Sequence, residues 1–147
     1  MRWRLVDKVT GFEPWGMIAA RKTISFEEYS LLKVFGRKGS FPETLILEAC
    51  VEASRWLVAA SSEFAQTCAL TEVETFSFAA EVGRGDILEV SLRVRAHEGT
   101  TLRLECRVNC ERALVSEGIF TVRAQPLSES FDRDWVTGLW REIYAKA

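Results

Sequence analysis

Three side chains of a type that can do chemistry, Glu48, Glu52 and Arg55, lie at i, i+4 and i+7 within FPETLILEACVEASRWLVAASSEF, the stretch from Phe41 to Phe64. On a helix this spacing lines them up in one thin polar stripe. The residues around them are greasy: Leu45, Ile46, Ala49, Cys50, Ala53, Trp56, Leu57, Ala60 and Phe64 recur with helical period, and Leu47, Val51 and Val58 add a second apolar side. A carboxylate held in such surroundings keeps its proton to higher pH and can serve as an acid or base near neutrality. Glu48 is therefore the first candidate for catalysis. The competing reading makes it a helix residue paired with Arg55 or with a backbone donor. Glu52 stands three residues before Arg55, a spacing that favours a plain helix ion pair.

A helix apolar on more than one side must be covered from more than one direction, so the remaining elements have to wrap it. Residues 3–9 read as a first strand, GFEPWG as a turn marked by Gly11, Pro14 and Gly16, and Met17 to Ile24 as a second strand closing a hairpin. Ser25 and Glu28 have the spacing of a capping box for a short helical turn. A loop with Gly36, Arg37, Lys38 and Gly39 then leads into the long helix, where Pro42 suits the first turn and Glu43 the positive end of the dipole. Beyond the helix the pattern changes to period two. It predicts strands over Thr67–Val82, Ile87–Ala96, Leu102–Cys110 and Leu114–Ala124, with His97 in an exposed turn and Pro126 ending the sheet. Phe131, Trp135, Leu139 and Ile143 return at helical spacing and predict an amphipathic C-terminal helix. The order predicts an α+β hotdog fold: an antiparallel sheet wrapped around a long central helix. Residues 1–127 form that domain and residues 128–147 the added helix.

Composition narrows the function classes. The chain of 147 residues suits one domain, and its net charge of -2 argues against a nucleic-acid surface. No apolar run reaches the ~20 residues a membrane span needs, and MRWRLVDKV lacks the apolar core of a signal peptide, so a cytoplasmic protein is expected. Cys50, Cys68, Cys106 and Cys110 have no CxxC spacing and His97 is the single histidine, so neither a metal nor a cofactor is expected. The cysteines read as small buried hydrophobes in a reducing compartment. Trp56, Phe76, Phe78 and Phe120 read as core, and Trp135 and Trp140 as the residues that dock the last helix against the sheet or a partner.

Phe41-Pro42-Glu43-Thr44-Leu45-Ile46-Leu47-Glu48-Ala49, the turn Val82-Gly83-Arg84-Gly85-Asp86 and the opening Leu5-Val6-Asp7-Lys8-Val9 together resemble the beta-hydroxyacyl-acyl-carrier-protein dehydratases of fatty acid synthesis. Pro42, Leu45, Glu48 and Ala49 match the family's helix motif, and the resemblance runs over residues 3 to 124. It implies an acyl thioester substrate, carried by acyl carrier protein or coenzyme A. It also implies a dimer in which Glu48 works with a histidine of the other subunit. Aligned without gaps, Val34-Phe35 falls where the family has its catalytic His-Phe, Gly36-Arg37 replaces Pro-Gly, and Glu43 replaces Gly. Valine has no lone pair with which to take a proton. The substrate-binding candidates that the resemblance adds are Val34, Phe35, Gly36, Arg37, Lys38, Phe41 and Glu52, the last where the family usually has glutamine. Arg37 and Lys38 either greet a pantetheine phosphate or an acidic carrier, or are solvated loop cations.

Three functions follow. The chain is a dehydratase-like binder of acyl thioesters with standard dehydration impaired, or a thioesterase using Glu48, or a non-catalytic partner of a histidine-bearing homologue. A homodimer is the default, and a heterodimer fits the third reading.

Overall fold

The computed structural model describes residues 5–24, 42–129 and 131–144. The expected capping box at Ser25 and Glu28 lies outside them. Strands β1 (Lys8–Glu13) and β2 (Met17–Thr23) precede a nineteen-residue helix α1 (Glu43–Ser61). Strands β3 (Gln66–Phe78), β4 (Ile87–Glu98), β5 (Thr101–Cys110) and β6 (Ala113–Pro126) follow. A 3-10 turn (Leu127–Glu129) then leads to helix α2 (Arg133–Ile143). The six strands form one antiparallel sheet in the order β1-β2-β4-β5-β6-β3.

Helix α1 runs across the sheet's apolar face, packing most heavily on β3 and also on β2, β4 and β6. Ala49, Cys50, Ala53, Leu57 and Val58 are fully buried. They meet Leu88, Val90 and Leu92 of β4, Leu102, Leu104, Cys106 and Val108 of β5, and Val115, Phe120 and Val122 of β6 in one continuous core. The alternation read from the sequence is thus the alternation that buries the sheet's inner face. The helix stops short of Phe64 because Glu63 (φ 54°) and Phe64 (φ 65°) turn left-handed, and Phe64 N–H closes on the Ala59 carbonyl at 2.7 Å. Ser62 ties down the exit: its hydroxyl donates to Ala59 O and accepts from Gln66 N–H at 3.0 Å.

Four boundaries differ from the sequence reading. Strand β1 begins at Lys8 and continues through Gly11, because Gly11 pairs with Ala19 after a bulge that follows Val9; only residues 14–16 turn. Strand β3 ends at Phe78, where Ala79 N–H makes a last bond to Val115 O and the chain leaves the sheet. His97 lies in β4, opposite Leu102, since Gly99 (φ 60°) and Thr100 alone make the turn. It is exposed, as expected, and its ring stacks on Trp15 at 4.8 Å. The last helix starts at Arg133, with a 3-10 turn in place of its expected first residues.

Helix α2 docks through Trp140, whose ring lies 5.4 Å from Phe12, 5.8 Å from Trp56 and 4.8 Å from Tyr144. Trp135, expected to help, remains 45% exposed. Across the sheet's outer face run Arg21–Glu89, Arg95–Glu105, Arg103–Glu74 and Arg107–Glu117, exposed pairs that add little stability but favour this register.

Gly118 on β6 has a reason to be glycine. A Cβ there would lie inside van der Waals contact with the Thr75 carbonyl oxygen and the Phe76 backbone, where β3 bulges between Val73 and Thr75. Gly118→Ala is expected to cost at least about 1–3 kcal/mol by forcing the β3–β6 pair apart. Urea unfolding measures it, and a variant as stable as the parent contradicts the close approach.

Candidate active site on the central helix

The polar stripe of α1 divides on folding. Glu48 is exposed, whereas Glu52 and Arg55, further along α1, are half-buried. Among the described residues, no apolar enclosure covers Glu48. The physical reason is rotational: Ile46, Ala49, Cys50 and Ala53 take the sheet-facing side of the helix, which leaves Glu48 on the open side. Val34, Phe35, Gly36, Arg37, Lys38 and Phe41, the remaining substrate-binding candidates, lie outside the described residues.

Glu52 is the carboxylate whose titration the fold alters. Burial pushes its pKa up. The backbone N–H of Val6, the Arg55 guanidinium, the N–H of Leu5 and the Lys22 ammonium all pull the other way, and burial wins. The expected helix ion pair with Arg55 is therefore one of several opposing influences.

Lys22 escaped the sequence reading. It follows Ile18 and Ala20 on the inward face of β2, with Ile24 beyond it, and is only 1% exposed. Its charge acts on Glu52 across the core boundary. The period-two spacing of Ile18, Ala20, Lys22 and Ile24 was the available signal.

The four cysteines are free thiols. Cys50 is hydrogen-bonded with Cys106 and deeply buried, and its pKa lies well above the ordinary thiol value. Cys68, beside the Ser54 hydroxyl at 3.6 Å, is pushed up to about 11 by burial. Thiols so placed stay protonated and behave as packing groups; Cys110 is half-buried. Among the described residues no group of His, Cys, Asp or Glu is placed to hold a metal ion. No described helix is long and apolar enough to cross a membrane.

No protein-family model matches the chain. A curated relative does: the 3-hydroxyacyl-acyl-carrier-protein dehydratase FabZ of Anaplasma phagocytophilum is 31% identical over 117 residues, covering 77% of this chain and 81% of that protein. The chain belongs to the 3-hydroxyacyl-acyl-carrier-protein dehydratase family. Its fold is the hotdog. The hot-dog-like protein from Thermanaerovibrio acidaminovorans superposes with a TM-score of 0.65 at 12% identity, over 92% of this chain and 96% of that one. A hypothetical thioesterase from Streptococcus pneumoniae TIGR4, solved with coenzyme A, gives 0.64 at 12% identity, over 81% and 85%.

The raised pKa of Glu52 has a stability consequence. The folded state holds the proton more tightly than the unfolded chain, so the carboxyl's contribution is most favourable below the ordinary glutamate pKa. It is lost as pH rises through the folded value. Glu52→Gln cannot titrate, so its stability relative to the parent is expected to improve as pH rises from 4 to 7. Urea unfolding at both pH values checks this, and a difference that is flat or falls with pH contradicts it.

Proposed function

We propose that this chain binds acyl thioesters, carried by acyl carrier protein or coenzyme A, in a site assembled around Glu48 between two copies of the chain. The carrying observation is the position of Glu48: a motif carboxylate on the open side of an otherwise buried helix, in a member of the dehydratase family. An exposed carboxylate gains catalytic character when a second surface covers it and removes water. Strand β3 offers the means of bringing that surface. It is the outer strand next to α1 in packing, its other edge has no strand partner among the described residues, and Val73 on it is 39% exposed. Edge-to-edge pairing of two β3 strands would extend the sheet and bring the second copy beside α1.

In dehydration of a 3-hydroxyacyl thioester, a base removes the proton next to the thioester carbonyl, and the hydroxyl leaves from the next carbon as water after gaining a proton. Glu48 is suited to give that proton. With Val34 at the family's histidine position, the chain lacks the ordinary base for the first half, so we propose slow dehydration. Residues 34–38, Phe41 and Glu52 remain the proposed substrate-binding set, with Arg37 and Lys38 toward the phosphate of the carrier arm. Residues 128–147 are proposed as an extension of the hotdog domain, and a cytoplasmic location as the setting.

Hydrolysis is the second reading. It is favoured by the likeness to a thioesterase fold solved with coenzyme A, and by a carboxylate that can act on water without a histidine. A pairing with a histidine-bearing homologue would supply the missing base in a mixed dimer.

The test is a paired assay on 3-hydroxyacyl and saturated acyl thioesters, following enoyl product and released thiol. Turnover on either class is expected to be slow and to fall about 100-fold in Glu48→Gln, the usual scale for loss of a general acid or base. Turnover that is fast and unaffected by Glu48→Gln overturns the role given to this residue. Adding Val34→His is expected to raise dehydration and leave hydrolysis unchanged.

A further inference from the structure

A hollow of about 320 Å³ lies between α1 and α2. Half of its lining comes from the segment after the sheet: Leu127, Phe131, Trp135, Val136, Leu139 and Ile143. The family resemblance ends at residue 124, so this wall lies in the part of the chain that the resemblance does not cover. Helix α1 supplies Glu52, Arg55, Trp56 and Ala59. One end is closed, because Ala59, Leu127 and Val136 pack together in a buried cluster with Trp56 and Phe131 against it. Apolar and aromatic walls with few polar groups are the usual make-up of a ligand pocket.

Glu52 and Arg55 act on each other, so their charges offset and the hollow calls for an uncharged, apolar occupant. Glu52 also joins the hollow to the proposed thioester site, since it belongs to that substrate-binding set. Along α1, Glu48 lies about 6 Å before Glu52 and Ala59 about 10 Å beyond it. An extended carbon chain advances about 1.3 Å per carbon. About the first four or five carbons of an acyl group held at Glu48 therefore reach Glu52, and about eight more reach Ala59. We infer that the hollow receives the tail of a medium-chain acyl thioester, which passes Glu52 and runs along α1 beneath Trp135 and Leu139. The inference rests on the thioester reading and adds to it a chain-length preference built by the C-terminal helix. A short acyl group ends before the hollow and gains nothing from it.

Calorimetric titration of the full chain with S-butyl, S-octyl and S-dodecyl pantetheine tests the inference, with NMR of the indole N–H groups to locate the tail. Each methylene buried in the hollow adds about two- to fourfold in affinity. The octyl compound is therefore expected to bind at least tenfold tighter than the butyl, and the dodecyl tighter again. Indole shifts at Trp56 and Trp135 are expected with the octyl and dodecyl tails only. Leu139→Trp, which fills the hollow from α2, is expected to cancel the octyl gain, and Trp135→Ala to reduce it. Equal binding of the butyl and octyl compounds overturns the inference and leaves the thioester reading standing. So does an octyl gain that persists in a folded Leu139→Trp, or that comes without the two indole shifts, because the tail then lies elsewhere. No binding of any of the three compounds up to millimolar concentration overturns the inference and the thioester reading together. Should Leu139→Trp fail to fold, Trp135→Ala and the indole shifts decide.

Discussion

The burial of one helix governs this structure. Ala49, Cys50, Ala53, Leu57 and Val58 of α1 are wholly removed from water, and a nineteen-residue segment with that much apolar circumference has no stable place on a surface. A twisted antiparallel sheet provides the needed apolar face, and inward residues on all six of its strands complete one core. Close packing sets the tolerances. Small residues, Ala49, Cys50 and Ala53, line the side of α1 nearest the strands, and Gly118 lets β3 and β6 approach where β3 bulges.

The same constraint decides where chemistry can sit. Once the apolar sides of α1 are committed to the sheet, its polar stripe has only the open side left. Glu48 ends in solvent, Glu52 and Arg55 under the overhang of α2, and each position gives its carboxylate a different character. Burial raises the pKa of Glu52 despite two nearby cations. For Glu48 the corresponding enclosure would have to come from a second surface, the role that the proposed site gives to a partner copy. Helix α2 contributes differently: held at one end by Trp140, it leaves a hollow beneath Trp135.

Much of this was legible in the residues. The periodicities of Leu45 to Phe64 and of Ile87 to Ala124 fixed the helix, the meander and their mutual packing, and the Glu48 motif pointed to the dehydratase family. What escaped depended on pairing partners. His97 looked like a turn residue because a Gly-Thr turn can close in two residues or in four, and only the register with Leu102 chooses. Lys22 went unremarked, although its alternation with Ile18, Ala20 and Ile24 places it inward. The exposure of Glu48 escaped as well, since a one-dimensional pattern shows which residues share a face but not whether another surface covers it. Val34 to Lys38, the stretch expected to hold the family's histidine position, lies outside the described residues.

The claim that the open side of α1 receives a thioester is tested most directly by hydrogen–deuterium exchange. The protein is compared with and without a non-cleavable thioether analogue of a 3-hydroxyacyl pantetheine. Added protection centred on residues 43–52, with a smaller effect along the outer edge of β3, is the predicted result. Ligand-induced protection confined to other parts of the chain, or none at saturating analogue, would contradict the account.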